Sequence, residues 1–193
     1  MSANALKRTL VFVPILFALA CSTLTPKPAL SASEIEKEEE AIYAFFAGTS
    51  SAVILENTSA GIGNPTPQEM RRQLQDTFQN ISGDTIESFV ERNAEPGQLS
   101  AEMELGVDYV LLSEEELAEI SSQPDWGETL AERYPGSYGY LIFSRVGFNR
   151  TLDQAVIYVG NVAGPLMGSG DIFLMEKVNG EWVIKEQFMI WIS

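Results

Sequence analysis

Histidine is absent from this chain. Its absence excludes Ser-His-Asp and Cys-His catalysis, histidine-ligated zinc and the usual switch near neutral pH. Cysteine occurs once, as Cys21, so neither an intrachain disulfide nor a cysteine-built metal site can form. No cofactor is implied, and any chemistry must come from carboxylates, hydroxyls, lysine, arginine or backbone groups. Basic residues are scarce: 12 Lys and Arg stand against 27 Asp and Glu, a formal net charge of −15. Such a surface repels phosphate backbones, which argues against a nucleic-acid partner, and gains nothing from anionic headgroups. What is present is a globular composition, with 45% hydrophobic and 20% charged residues over 193 positions, enough for one domain with a proper core.

The N-terminus carries the strongest local signal. Lys7 and Arg8 precede an apolar run from Thr9 to Ala20, too short for a transmembrane span and suited to a secretory leader over 1–20. The stretch Phe17-Ala18-Leu19-Ala20-Cys21 resembles the lipobox of bacterial lipoproteins, in which the cysteine becomes the first mature residue and carries the lipid. It departs from that pattern at Ala18, where leucine is commonest. The other reading is an ordinary signal peptide with Cys21 incidental. Residues 21–33, with Pro26, Pro28 and several Ser and Thr, read as the lipid-attachment cysteine and a flexible tether. Residues 34–193 read as a single α+β domain.

Within that domain, capping signals mark the helices. Ser33 with Glu36, Thr66-Pro67-Gln68-Glu69, Asp84 with Glu87, and Ser113 with Glu116 each fit a helix start. Asp125 is placed before a last helix that ends at Pro135-Gly136. Ile35, Ile42, Phe45 and Phe46 are expected on the apolar face of the first helix, and the run from Glu36 to Glu40 on its solvated face. Met70, Leu74, Phe78 and Ile81 recur at helical spacing as core. Ser51 to Glu56 and Val107 to Leu112 read as strands.

From Tyr138 onward the pattern changes to short helices' opposite: β-branched and aromatic runs separated by turns, the mark of an antiparallel meander. The expected fold class is therefore α+β, N-terminal short helices packed on a C-terminal antiparallel β-meander, with about four to six strands. Asn179-Gly180 calls for a two-residue type I′ turn. That turn would set Val178 opposite Glu181, Lys177 opposite Trp182, Phe173 opposite Glu186 and Leu174 opposite Lys185. Lys177 would lie over Trp182, and Lys185 near Glu176. Strict alternation puts Trp182, Ile184, Phe188, Ile190 and Ile192 on one face, expected under helices. Val183, Lys185, Gln187, Met189 and Trp191 fall on the other, a mixed face suited to the floor of a cleft.

Phe143-Ser144-Arg145-Val146-Gly147-Phe148-Asn149, Leu174 to Trp182, the terminal Trp191-Ile192-Ser193 and the upstream Tyr109 to Glu116 together resemble an uncharacterised family of secreted bacterial proteins and lipoproteins. The likeness runs from about Ser51 to the end. It implies an exported α+β domain and no particular activity. Many members carry two cysteines where this chain has Ala163 and Met167, so whatever those thiols do is not done here.

Candidate sites are few. Gly160, Gly164, Gly168 and Gly170 suggest either a phosphate cradle or a long strand connection with positive-φ turns. No Lys-Ser/Thr follows, and Asp171 would repel an anion, which favours the connection. Arg145, read as mid-strand, is either a cationic anchor for a carboxylate ligand, with Asn149 and Tyr158 nearby, or the partner of a helix carboxylate such as Glu87 or Glu91. Asp171 and Glu176 differ in phase and point to opposite faces, so they do not form a hydrolytic pair. The sequence thus leads to an exported envelope protein, lipid-anchored or else secreted and soluble. Its expected partners are the membrane through the N-terminal lipid and a small molecule or protein bound by the domain. The competing function is a carboxylate-based hydrolase acting on envelope polymers.

Overall fold

The computed structural model describes residues 30–49, 51–61 and 65–193. The leader and Cys21 lie outside the described residues. Among the described residues five helices, α1 (Ala32–Ala47), α2 (Pro67–Thr77), α3 (Gly83–Arg92), α4 (Glu114–Ser121) and α5 (Trp126–Arg133), accompany seven strands. These are β1 (Ala52–Leu55), β2 (Tyr109–Leu112), β3 (Tyr140–Phe143), β4 (Gly147–Phe148), β5 (Gln154–Gly164), β6 (Met167–Val178) and β7 (Glu181–Ile192). The class is α+β, with most helices early and the long antiparallel strands late.

All seven strands join one sheet in the order β2-β1-β3-β5-β6-β7, with β4 paired to β5. It is larger than the sequence suggested and not wholly antiparallel: β1 runs parallel to both β2 and β3. Parallel neighbours need long crossovers, and the helical segments between β1 and β2, and between β2 and β3, supply them.

The helix starts follow local chemistry. Ser31, not Ser33, caps α1: its Oγ accepts from the Glu34 amide while the Glu34 carboxylate accepts from the Ser31 amide. Both pairs satisfy the same three-residue spacing, and the helix takes the earlier one, so α1 begins within the stretch read as tether. Thr66 and Glu69 form the anticipated reciprocal box on α2. On α3 the cap is Ser82 rather than Asp84, because Ser82 Oγ accepts from the Thr85 amide. Ser113 caps α4 as expected, and Asp125 precedes α5 without making a side-chain cap bond.

Strand alternation divides the core between two layers. Phe173 and Met175 of β6, Ile54 of β1 and Phe143 of β3 face α1, whose Ile42 and Tyr43 complete that cluster. Tyr43 stacks on Phe143 with ring centroids 4.8 Å apart, a contact worth about 1 kcal/mol beyond its buried area. Ile172 and Leu174 of β6 and Val156 of β5 face the other way, against α2 and α3. On that same side Val53 and Tyr140 meet Ile120 of α4 and Leu130 of α5. The sheet is therefore covered by one helix on one face and by two helix pairs on the other.

Phe45, assigned to the buried stripe of α1, is half-exposed; the stripe is Glu39, Ile42 and Tyr43. The β6–β7 turn matches the Asn-Gly expectation, with Asn179 at φ 54° and Gly180 at φ 90°. Val178 pairs with Glu181 and Lys177 with Trp182, Lys177 Nζ lying 5.0 Å from the Trp182 ring. Lys185 pairs with Glu176 at 3.3 Å. Farther from the turn the register departs from strict alternation: Phe173 faces Gln187 and Leu174 faces Glu186. Two bulges cause this, the first leaving Lys185 and the second leaving Ile190 without an opposite residue. Each flips the side chains beyond it, so the two faces read from alternation do not hold. Trp182 is buried, whereas Ile184, Phe188 and Ile192 are exposed.

Gly160, Gly164, Gly168 and Gly170 lie inside β5 and β6 rather than in a loop, and none has positive φ. The connection is only Pro165-Leu166. Gly168 and Gly170 instead make room for Trp191, whose indole lies against them; a Cβ on Gly170 would overlap its Nε1.

Candidate functional site

One buried carboxylate and two partly exposed arginines organise the ionic chemistry of the α1 face. Glu39 is only 5% exposed, in the middle of the acidic run expected to be solvated. Helical spacing explains it: Glu39 precedes Ile42 and Tyr43 by three and four residues and so shares their buried face. Arg145 Nε donates to both Glu39 oxygens at 3.0 and 3.1 Å, and its Nη2 donates to Oε2 at 2.7 Å. The Val146 amide donates to Oε1 at 2.8 Å. Arg92, at the end of α3, brings Nη2 to 2.8 Å from the same oxygen. Arg92 Nε finds no hydrogen-bond acceptor among the described residues.

Arg145 reaches Glu39 because it leaves the ladder. Phe143 pairs with Val159 and Gly147 with Val156, so one residue is surplus on the β3–β4 side. Ser144 still pairs with Tyr158: its amide donates to the Tyr158 carbonyl, and the Tyr158 amide donates to Ser144 Oγ. Arg145 bulges out, and Asn93 substitutes for a neighbouring strand. The Arg145 amide donates to Asn93 Oδ1 at 2.9 Å, and Asn93 Nδ2 donates to the Arg145 carbonyl at 2.9 Å. The Tyr43 hydroxyl donates to the Ser144 carbonyl at 3.0 Å.

Burial alone would push the Glu39 carboxyl up. The Arg145 hydrogen bonds, the Arg92 and Arg145 charges and the Val146 amide outweigh it and hold the group below the ordinary carboxylate range. The Tyr43 hydroxyl is driven well above its usual range, first by burial and then by the Glu39 charge. At neutral pH the cluster is therefore an ionised carboxylate clamped by two guanidinium groups beside a neutral phenol. It ties α1, α3 and the β3–β4 bulge together.

A cavity of about 320 Å³ opens beside it, lined among others by Glu36, Glu40, Gln98, Ser100 and Arg145. Its carboxylates make it a poor seat for an anion, and Glu39 already occupies the Arg145 fork. Of the two readings of Arg145, the structure displays the ion pair with a helix carboxylate, though on α1 rather than α3; Glu87 instead binds Arg71. Asn149 closes the following loop, donating to Asp153 and accepting from the amides of Asp153 and Gln154. Tyr158 lies across the sheet, on the α2–α3 side, where its hydroxyl accepts from Trp191 Nε1 at 2.9 Å. The structure does not bring Arg145, Asn149 and Tyr158 into one site.

Glu39, Arg92 and Asn93 were not singled out in the sequence. Only Glu39 left a trace there, as a charge interrupting an apolar helical stripe. Asp171 and Glu176 do point to opposite faces, and buried Asp171 accepts from Gln187 at 2.9 Å. Among the described residues no cluster of carboxylates converges as a metal site, and no helix is long and apolar enough to cross a membrane. No protein-family model matches the chain, and no curated protein or solved structure matches it either.

Proposed function

We propose that the protein is exported, held at a membrane of the bacterial cell envelope by lipid on Cys21, and works there as a binding or interaction module. The observation that carries this reading is the position of the sole cysteine, directly after an apolar run preceded by Lys7 and Arg8. Multiple acyl chains on one residue give stable anchoring where a single chain does not.

The domain supports a binding role more than a hydrolytic one. Its buried acids Glu39 and Asp171 each have their own partners, Arg145 with Arg92 and Gln187 respectively. A hydrolase of the two-carboxylate kind needs a pair converging on one substrate. Glu38 of α1 binds Lys177 and Trp182 while Phe46 packs on Phe173, so the start of α1, where the tether joins, lies toward the Asn179-Gly180 turn.

Mass spectrometry of protein extracted from its native membrane tests the reading. A chain beginning at Cys21 with acyl mass is expected, and Cys21→Ser is expected to leave the membrane fraction. An intact leader with an unmodified thiol, or undiminished membrane association of the variant, would refute it.

A further inference from the structure

The cavity beside the Glu39 cluster is lined by groups of both signs whose bonding capacity the fold leaves over. Its buried wall is Tyr43, Leu99 and Met103. Its charged wall is Glu36 and Glu40, one helical turn apart on α1, and the guanidinium of Arg145. Arg145 Nε and Nη2 both donate to Glu39, whereas Nη1 meets no acceptor among the described residues. Glu36 makes neither a hydrogen bond nor an ion pair among them. Glu40 accepts only from the Glu104 amide, at 3.4 Å. Arg145 is held above its ordinary range first by the Glu39 hydrogen bonds, and the Glu36 charge adds to this without closing an ion pair. Glu39 itself is neutralised by Arg145 and Arg92. The cavity therefore presents two unpaired carboxylates, one guanidinium nitrogen with protons to donate, and an apolar wall between buried side chains.

We propose that this cavity binds a basic α-amino acid of the lysine, ornithine or arginine kind. The ligand's α-carboxylate accepts from Arg145 Nη1. Its α-ammonium meets one of the two glutamates and its side-chain cation the other, while its methylene chain lies on Leu99 and Met103. Other ligand classes match less of the lining. A dicarboxylate is repelled by Glu36 and Glu40, a neutral amino acid leaves one of them unpaired, and a plain diamine leaves Nη1 without an acceptor. The volume of about 320 Å³ lies at the lower end of the range for small-molecule sites, which suits a free amino acid. The inference rests on the binding-module reading and names its ligand class; it makes no use of lipid on Cys21.

Isothermal titration calorimetry of the full chain at low salt, with L-lysine as the probe, tests it. L-lysine is expected to bind at a single site, and cadaverine, which is lysine without its carboxylate, at least about tenfold more weakly. Cadaverine carries the higher charge, so that order cannot arise from general attraction to a molecule of net charge −15. The double variant Glu36→Gln, Glu40→Gln is expected to bind L-lysine at least about tenfold more weakly at an unchanged thermal midpoint. Glu115→Gln, Glu181→Gln removes the same charge from two exposed positions elsewhere and is expected to keep the parent affinity. No binding of L-lysine up to about 10 mM, cadaverine binding as tightly as lysine, or equal losses in the two double variants would overturn the proposal. A chain acylated at Cys21 yet silent to L-lysine would overturn this ligand class and leave the anchored module standing.

Discussion

Removing Arg145 probes the physical argument behind the α1 face most directly. Arg145→Ala deletes three hydrogen bonds to Glu39 and one of its two positive neighbours. The carboxylate stays buried, held by the Val146 amide and by Arg92 at 2.8 Å. Breaking a buried pair on one side costs about 3–5 kcal/mol when the remaining charge is left bare. With Arg92 and the amide still in place, and Arg145 itself partly exposed, about 2–3 kcal/mol is expected. Glu39→Gln should cost more, because it leaves two guanidinium groups facing a neutral amide. The double variant Glu39→Gln, Arg145→Ala should lose less than the sum of the singles, with a coupling of about 1–3 kcal/mol.

The pH dependence supplies a second check. The folded-state Glu39 carboxyl lies below its ordinary value of 4.5. A depressed carboxylate contributes stability that is fully present above the unfolded-state value and is lost as pH falls through the folded-state one. The gap between parent and Arg145→Ala should therefore be constant near neutrality and close progressively below about pH 4.5. Urea unfolding followed by tryptophan fluorescence at several pH values measures both quantities. A loss under about 0.5 kcal/mol for each single variant would refute the account. So would a gap that stays constant into strong acid.

Two further outcomes follow from geometry. Gly170→Ala drives a Cβ into the Trp191 indole, which must leave its hydrogen bond to Tyr158; a loss of about 1–3 kcal/mol is expected with altered tryptophan emission, and Gly168→Ala should be milder. Asn179→Ala keeps a side chain at φ 54° without the local hydrogen bonding that makes asparagine tolerant there, so thermal unfolding should report a loss of about 1 kcal/mol at unchanged fold.

The anticipated positions of Thr66, Ser113 and the Asn179-Gly180 turn were legible because each depends on a few adjacent residues. A cap needs one side chain and an amide three residues on, and a type I′ turn needs two residues tolerant of positive φ. The candidate site was less legible. Arg145 announced itself as a charge among strand residues, but its partner lies 106 positions earlier, in an acidic run whose members look alike until one is turned inward.

Composition and local pattern alone determined the absence of histidine and disulfide chemistry, the acidic surface, the helix starts at Thr66 and Ser113, and the α+β class with its C-terminal meander. Tertiary structure decided the parallel placement of β1, the burial of Glu39 and the two bulges that turn apolar side chains of β7 outward. Each of these depends on which distant segment lies alongside. Strand order, and register beyond the Asn179-Gly180 turn, are settled by packing across the sheet rather than by any short window of sequence.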